Sequence, residues 1–325
     1  MTRKTPSISK SLNPAPTDGY VGILNAFRTY PLVALGEAHW LQQEADFITR
    51  LLQNPYFPRL VQTLVVEFGS AQAQPIVDRF LVGERVTEAE LHSVWRWAGG
   101  AGHAFESPIY AQFFHTVRAL NQRLPSARRL RVLLGDPPVD DQTGQRDPAI
   151  WSLVNARDAY YAMVVEDQVL RHGVRALLIA GGGHFSRISD TSAPQGNVVQ
   201  RLELKYPGSI FVVVPHVIFE ETMAIRAEAV RELETRLAGW PVPALATLHG
   251  TWLGEIDAYL HFDNLAKRIE PDGTERFVRV PYIGLDGAPI TELRLSDMVD
   301  ALLYLGPQDM LTFTPPTPPS DVASS

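Results

Sequence analysis

Short, almost wholly apolar runs recur along this chain, separated by longer stretches in which apolar residues return every three or four positions. The runs at Leu32–Leu35, Thr63–Glu67, Leu130–Leu134, Ala176–Ala180, Ile210–Val214 and Leu302–Leu305 read as strands. Runs without polar alternation suit strands covered on both faces. Apolar spacing predicts helices at Leu41–Leu52, Gln74–Leu81, Glu88–Trp97, Pro108–Leu124, Pro148–His172 and Glu221–Leu237. Pro108 and Pro148 stand where a proline opens a helix at no cost in hydrogen bonds, and Thr87 with Glu90 has capping-box spacing. Strands alternating with helices form the βαβ pattern, which predicts an α/β fold: a mostly parallel sheet with helices on both faces.

Two stretches depart from the alternation. Residues 85–106 read as a helical excursion between the second and third strands, placed to cover a cleft. From 240 to 289 the period fades, Gly and Pro become frequent, and Pro271-Asp272-Gly273 has the composition of a hairpin turn. This reads as an irregular insertion or small hairpin before the return to the sheet. Residues 1–20 show no period and 314–325 are mostly Pro, Ser and Thr, so both read as disordered tails around a single domain at 21–313.

Composition narrows the chemistry. With 45% hydrophobic and 20% charged residues in 325, the chain can build a large core. A net charge of −7, with Arg128, Arg129 and Arg131 broken by apolar neighbours, argues against a nucleic-acid partner and leaves a small molecule or peptide as the expected one. The absence of cysteine excludes disulfides, thiolate nucleophiles, thiolate zinc sites and cysteine-ligated iron–sulfur clusters. Any metal must use His, carboxylate or water. No run has the length of a secretory signal or a membrane span, which reads as cytoplasmic and is equally compatible with an exported mature form.

The candidate chemistry lies where the strands end, and open α/β sheets bind ligands outside the carboxyl ends of their strands. The first strand runs into Gly36-Glu37-Ala38-His39, a carboxylate and an imidazole suited to acid–base work or metal binding. The second ends in Glu67, whose charge needs a partner if buried; an ion pair with Arg79 is the structural alternative. The third ends at Asp136, followed by Asp140 and Asp141 as turn residues. The fourth runs into Gly181-Gly182-Gly183-His184, where glycines allow close backbone approach or unusual dihedrals and present a histidine. Arg157 can clamp an anion, with Asp158 beside it reading as an ordinary surface ion pair. His103 and Tyr161 are further candidates to contact substrate. There is no Gly-x-Ser-x-Gly elbow and no His-Glu-x-x-His, so hydrolysis would use water activated by histidine, carboxylate or metal.

In this order, Leu35-Gly36-Glu37-Ala38-His39, Val66-Glu67, Gly135-Asp136 and Ile179-Ala180-Gly181-Gly182-Gly183-His184 resemble the superfamily joining erythromycin esterase-like proteins, ChaN-like haem-binding lipoproteins and TraB/Tiki proteins. The resemblance spans about Tyr30 to Pro215. It implies an α/β fold with a cleft lined by Glu37, His39, Glu67 and His184. In the esterase-like branch His39 would activate water against an ester. In the Tiki-like branch Glu37, His39, Glu67 and His184 would hold a divalent ion such as Mn, Co or Zn. A ChaN-like binder would use Tyr160, Tyr161, His103 or His184 on haem iron. One residue, Ala38, separates Glu37 from His39, whereas erythromycin esterases usually have two; the spacing is closer to the ChaN-like and Tiki-like patterns. The expectation is a hydrolase of ester, peptide or amide bonds, with Asp136 and Arg157 orienting the substrate. The alternative is a non-catalytic binder using the same cleft.

Overall fold

In the computed structural model the predicted apolar runs all form strands. It describes residues 11–316 except 97, 99–103, 139–151, 153–155, 189–195, 263–264, 270–273, 284–287 and 291. The strands are β1 (Thr17–Asp18), β2 (Leu32–Glu37), β3 (Thr63–Ser70), β4 (Arg131–Asp136), β5 (Ala176–Gly181), β6 (Ile210–Pro215), β7 (Ala244–Thr247), β8 (Leu265–Ile269), β9 (Glu275–Arg279) and β10 (Ala301–Tyr304). Eight of them make one sheet in the order β1-β7-β10-β6-β2-β5-β3-β4. From β10 to β4 every pairing is parallel, while β7 and β1 add an antiparallel edge.

Alternation along the strands divides the core in two, because successive side chains of a strand leave on opposite faces. Val33, Leu35, Leu64, Val66, Leu177 and Ile179 pack against the helices Gly19–Thr29, Gln42–Gln53, Gln74–Val82, Glu88–Arg96 and Pro108–Asn121. Leu32, Ala34, Val65, Leu178 and Ala180 pack against Arg157–Gln168, Val198–Lys205 and Ala227–Leu237. This is the predicted doubly covered sheet. Among the described residues no helix is long and apolar enough to cross a membrane.

Several boundaries differ from the expectation. Residues 11–20 are not a free tail: the Leu12 N–H donates to Gly250 O (2.9 Å), β1 pairs with β7, and the Asp18 side chain accepts from Val21 N (3.0 Å) to cap the first helix. A two-residue edge strand needs only backbone partners, so it leaves no side-chain pattern. At the other end, Thr314 N donates to Trp40 O (2.8 Å), which ties residue 314 to the turn after β2. The 240–289 insertion contributes β7 to the main sheet as well as the expected hairpin, β8–β9, whose Pro271-Asp272-Gly273 turn lies outside the described residues. The helix expected over Glu221–Leu237 is two, Glu220–Ile225 and Ala227–Leu237, parted at Arg226 (φ −125°). Of Pro148–His172, the helix described is Arg157–Gln168, with a 3-10 turn through His172.

The excursion at 85–106 carries the helix Glu88–Arg96, which packs Leu91, Val94 and Trp95 into the core beside β3. Its start is the capping box that the spacing of Thr87 and Glu90 predicts: Thr87 N donates to Glu90 Oε2 (2.8 Å) and Glu90 N to Thr87 Oγ1 (3.2 Å). Thr87→Ala is therefore expected to destabilise the protein by about 1 kcal/mol, read as a lowered midpoint of urea unfolding. An unchanged midpoint would mean the cap is replaced by solvent.

Candidate functional site

Four neighbouring strands, β2, β5, β3 and β4, bring their carboxyl ends together. Register aligns Glu37 with Gly181, and Val66, one residue before Glu67, with Ile179. Alternation then sends the two glutamates to opposite sides. Glu37 follows Leu35 onto the face of the Pro108–Asn121 helix, and Glu67 follows Val65 onto the face of the Arg157–Gln168 helix. The site is consequently built in two halves.

In the first half, the Tyr110 hydroxyl donates to Glu37 Oε1 (2.5 Å), and the same oxygen lies 3.3 Å from His39 Nδ1. Burial and the Glu37 charge push the Tyr110 hydroxyl far up, so it remains a donor. Burial alone would lower the affinity of His39 for a proton, but the Glu37 hydrogen bond and charge outweigh it and leave the pKa above the usual histidine value. With Nδ1 committed to Glu37, Nε2 has no hydrogen-bond partner among the described residues. The ring stands edge-on to Phe105 (5.4 Å between centroids). It also explains Gly181: a Cβ there would lie 3.2 Å from His39 Nε2. None of the three glycines before His184 has a left-handed backbone; close approach accounts for Gly181, whereas a Cβ at Gly182 would make only ordinary contact and one at Gly183 would meet nothing.

Trp40, next in the chain, has φ of 70°, a conformation that a bulky side chain adopts at a cost of about 1–3 kcal/mol. Its Nε1–H donates to Ala104 O (2.6 Å), and its carbonyl accepts from Thr314 N (2.8 Å). These two bonds hold the turn that aims His39.

The second half is an ion cluster. Glu67, 4% exposed, accepts from Gly181 N through Oε2 (2.8 Å); its Oε1 lies 3.1 Å from His184 Nε2 and 3.4 Å from Arg157 Nη2. Burial opposes its charge, but His184 and Arg157 hold its carboxyl far below the usual range. His184 Nδ1 is bonded to Asp158 Oδ1. Burial would lower the pKa of His184, but carboxylates at both ring nitrogens raise it to about 10. At neutral pH it is a fixed imidazolium. Arg157 donates to Asp136 Oδ1 from Nε (3.1 Å) and Nη2 (2.5 Å), and the pair backs Glu67 from behind.

The titration of His184 has a thermodynamic sign. A histidine whose folded pKa is raised contributes stability that is complete below its unfolded value near 6.5 and is lost as pH climbs to about 10. Wild-type stability to urea is expected to decline across that window, and His184→Gln to flatten the decline. Parallel pH curves for the two proteins would overturn the assignment.

Glu37, His39, His184 and Asp158 open onto one groove of about 1080 Å³, whose lining also includes Phe219, Phe262, Tyr282 and Phe313. Asp136 and Arg157 do not line it; they pair with each other behind Glu67, so they support the cluster rather than touch a ligand there. Tyr161 is buried beneath the sheet, donating to Val65 O (2.6 Å) and filling the space above Gly135, and is thereby committed to the fold. Tyr160 is half-buried and absent from the groove wall. His103, Asp140 and Asp141 lie outside the described residues. Asp158 is no surface ion pair but the partner of His184, and Arg79 pairs with Glu84 and Glu90 rather than with Glu67.

Among the described residues, most donors expected for a metal or for haem are already committed. His184 has a carboxylate at each nitrogen, Glu67 is shared with a guanidinium, and among the described residues no three His, Asp or Glu side chains gather as a metal-ligand set. For haem, the Tyr161 hydroxyl and both His184 nitrogens are already bonded. Sequence reading missed Tyr110, the donor to Glu37, and Glu44, which accepts from Ala38 N through Oε2 (2.9 Å). Tyr110 and Glu44 sit within helices and carry no local motif.

No protein-family model matches the chain, and no curated protein sequence matches it. Solved structures do. A Bacillus cereus protein aligns over 90% of this chain and 94% of its own with a TM-score of 0.54 at 10% identity. A succinoglycan biosynthesis protein aligns over the same shares with a TM-score of 0.52, also at 10% identity. A mutant of the erythromycin esterase EreC in its open conformation covers 90% of this chain and 97% of its own at 12% identity and a TM-score of 0.48. These likenesses concern the fold. The first two extend beyond Tyr30–Pro215, the part that carries the sequence resemblance.

Proposed function

We propose that this chain hydrolyses ester or amide bonds, with His39 as the general base and His184 as a fixed cation facing the developing oxyanion. The observation that carries the reading is the Tyr110–Glu37–His39 chain, which occupies Nδ1 of His39 and leaves Nε2 without a described partner in the wall of a groove it shares with His184. A base oriented by a carboxylate and a cation held by two carboxylates is the division of labour that acyl transfer to water needs. Water gives a proton to His39 Nε2 as its oxygen bonds to the carbonyl carbon. The carbonyl oxygen gains the electron pair, stabilised by the charge of the His184 imidazolium, whose two N–H bonds stay with Glu67 and Asp158. Collapse of the intermediate re-forms the carbonyl and breaks the bond to the leaving group, which takes the proton from His39. Asp158 and Glu67 keep His184 charged, and Arg157 with Asp136 keeps Glu67 in place. The groove is large enough for a substrate with a sizeable apolar body.

The test is a panel of p-nitrophenyl esters and amino-acid p-nitroanilides, followed by a pH profile on whichever is turned over. kcat/KM is expected to rise through the ionisation of His39, above the usual histidine value, and to fall as His184 loses its proton near 10. Treatment with EDTA is expected to leave the rate unchanged. Lack of turnover across the panel would shift the reading to a ligand-binding groove, and loss of the rate with EDTA, restored by Zn²⁺ or Mn²⁺, would overturn the metal-free mechanism.

A further inference from the structure

Behind Glu37 lies a small, partly open space of about 30 Å³ between β2 and the helices Gln42–Gln53 and Pro108–Asn121. Its walls are mostly apolar, with Leu41, Ile48, Phe68 and Phe113 among them, yet two carboxyl side chains, Glu37 and Glu44, line it as well. One oxygen of each, Glu37 Oε2 and Glu44 Oε1, is buried without a hydrogen-bond partner among the described residues. Unsatisfied carboxyl oxygens are costly to bury. A cavity of this size accommodates one or two waters, and two carboxyl groups on its wall supply the polar partners that distinguish a wet cavity from a dry one.

We propose that Glu44 is a positioning residue for His39: one oxygen holds the Ala38 N–H, and the other, as a neutral acid, hands a hydrogen bond through internal water to Glu37 Oε2. The proposal rests on the reading of His39 as the base. It places a three-way hold on the Glu37–Ala38–His39 segment: Tyr110 on Glu37 Oε1, water on Glu37 Oε2, and Glu44 on the intervening peptide. Glu44 is 1% exposed, and burial together with the neighbouring Glu37 charge raises its carboxyl well above the usual range, as a donor role requires. The charged and titratable groups around it are Glu37 on β2, Tyr110 on the Pro108–Asn121 helix, His39 on the turn and, further off, Glu67 on β3. The cavity wall itself holds no cation among the described residues, and Thr49, Tyr110 and Gln112 are its uncharged polar members.

The experiment follows the His39 ring by NMR across pH, with its signal identified by loss in His39→Gln, together with water-to-protein cross-relaxation at Tyr110 and Ile48. No turnover is measured, so a protein that proves not to be a hydrolase can still pass, and a hydrolase can still fail. Glu44→Gln keeps an acceptor for Ala38 and a neutral donor for the water. It is expected to leave the His39 midpoint unchanged and the water signal in place. Glu44→Leu removes both and leaves Glu37 Oε2 without its water, so that more of the Glu37 charge falls on His39 and the His39 midpoint is expected to move up by about one pH unit with loss of the water signal. An unmoved midpoint in Glu44→Leu would show that Glu44 is packing alone. An equal shift in Glu44→Gln would show that it acts as a charge, and no persistent water in the wild type would remove the bridge. Should Glu44→Leu fail to fold, the wild type and Glu44→Gln decide the matter through the water signal and the midpoint.

Discussion

His39→Ala is expected to lower kcat/KM for ester or amide hydrolysis by about 10²- to 10⁴-fold, the usual contribution of a general base. The melting temperature should stay within about 2 °C of the wild type. The imidazole is 37% exposed, and its removal leaves Glu37 still accepting from Tyr110. Nothing buried loses its last partner. The two measurements together separate catalysis from structure: if the polar cluster were only a hydrogen-bond network, His39→Ala would reduce stability and there would be no turnover to lose. Turnover undiminished in His39→Ala would remove His39 as the base.

Glu67→Ala is expected to give the largest change in stability, a loss of about 3–5 kcal/mol in urea unfolding, since removing one partner leaves buried charge uncompensated. Glu67 meets His184, Arg157 and the Gly181 N–H at once. The sign of its pH dependence is opposite to that of His184. A carboxyl held below its unfolded value contributes stability that is present above about pH 4.5 and is lost as pH falls toward its folded pKa. The wild type should therefore lose stability on acidification below about pH 4.5, and the gap to Glu67→Ala should narrow there. A gap that is constant with pH would assign the effect to packing rather than charge.

The contrast between these variants reflects how the site is assembled. Glu67, His184, Asp158, Arg157 and Asp136 form a set of ion pairs in which each member satisfies another. His39 stands at the open end of a shorter chain, with one nitrogen facing the groove. Under the proposed function, stability is concentrated in the first set and reactivity in the second, a division consistent with active residues contributing little to folding.

The sequence alone determined the layering of this protein and the list of polar residues at its sheet edge. Continuous apolar runs identify β2 to β6 and β10 because strands covered on both faces have no polar positions, and a charge at the end of such a run, as at Glu37, Glu67 and Asp136, stands out for that reason. Thr87 and Glu90 were legible as a cap because their bonds are local. β1 and β7 were not, since an edge strand of a few residues is selected by the backbone it pairs with.

Tertiary structure alone decided what each site residue meets. Glu37 and Glu67 look equivalent along the chain, but the parity of their strands sends one to Tyr110 and His39 and the other to His184 and Arg157. His39 and His184 likewise look interchangeable. One carboxylate at His39 leaves a ring nitrogen without a described partner, while two at His184 make a cation, and the count depends on Asp158, a helix residue whose proximity no local pattern encodes. Protonation follows from the burial and charge that side chains meet in space, and partners such as Tyr110, 73 residues from Glu37 along the chain, are brought there only by the packing of helix on sheet.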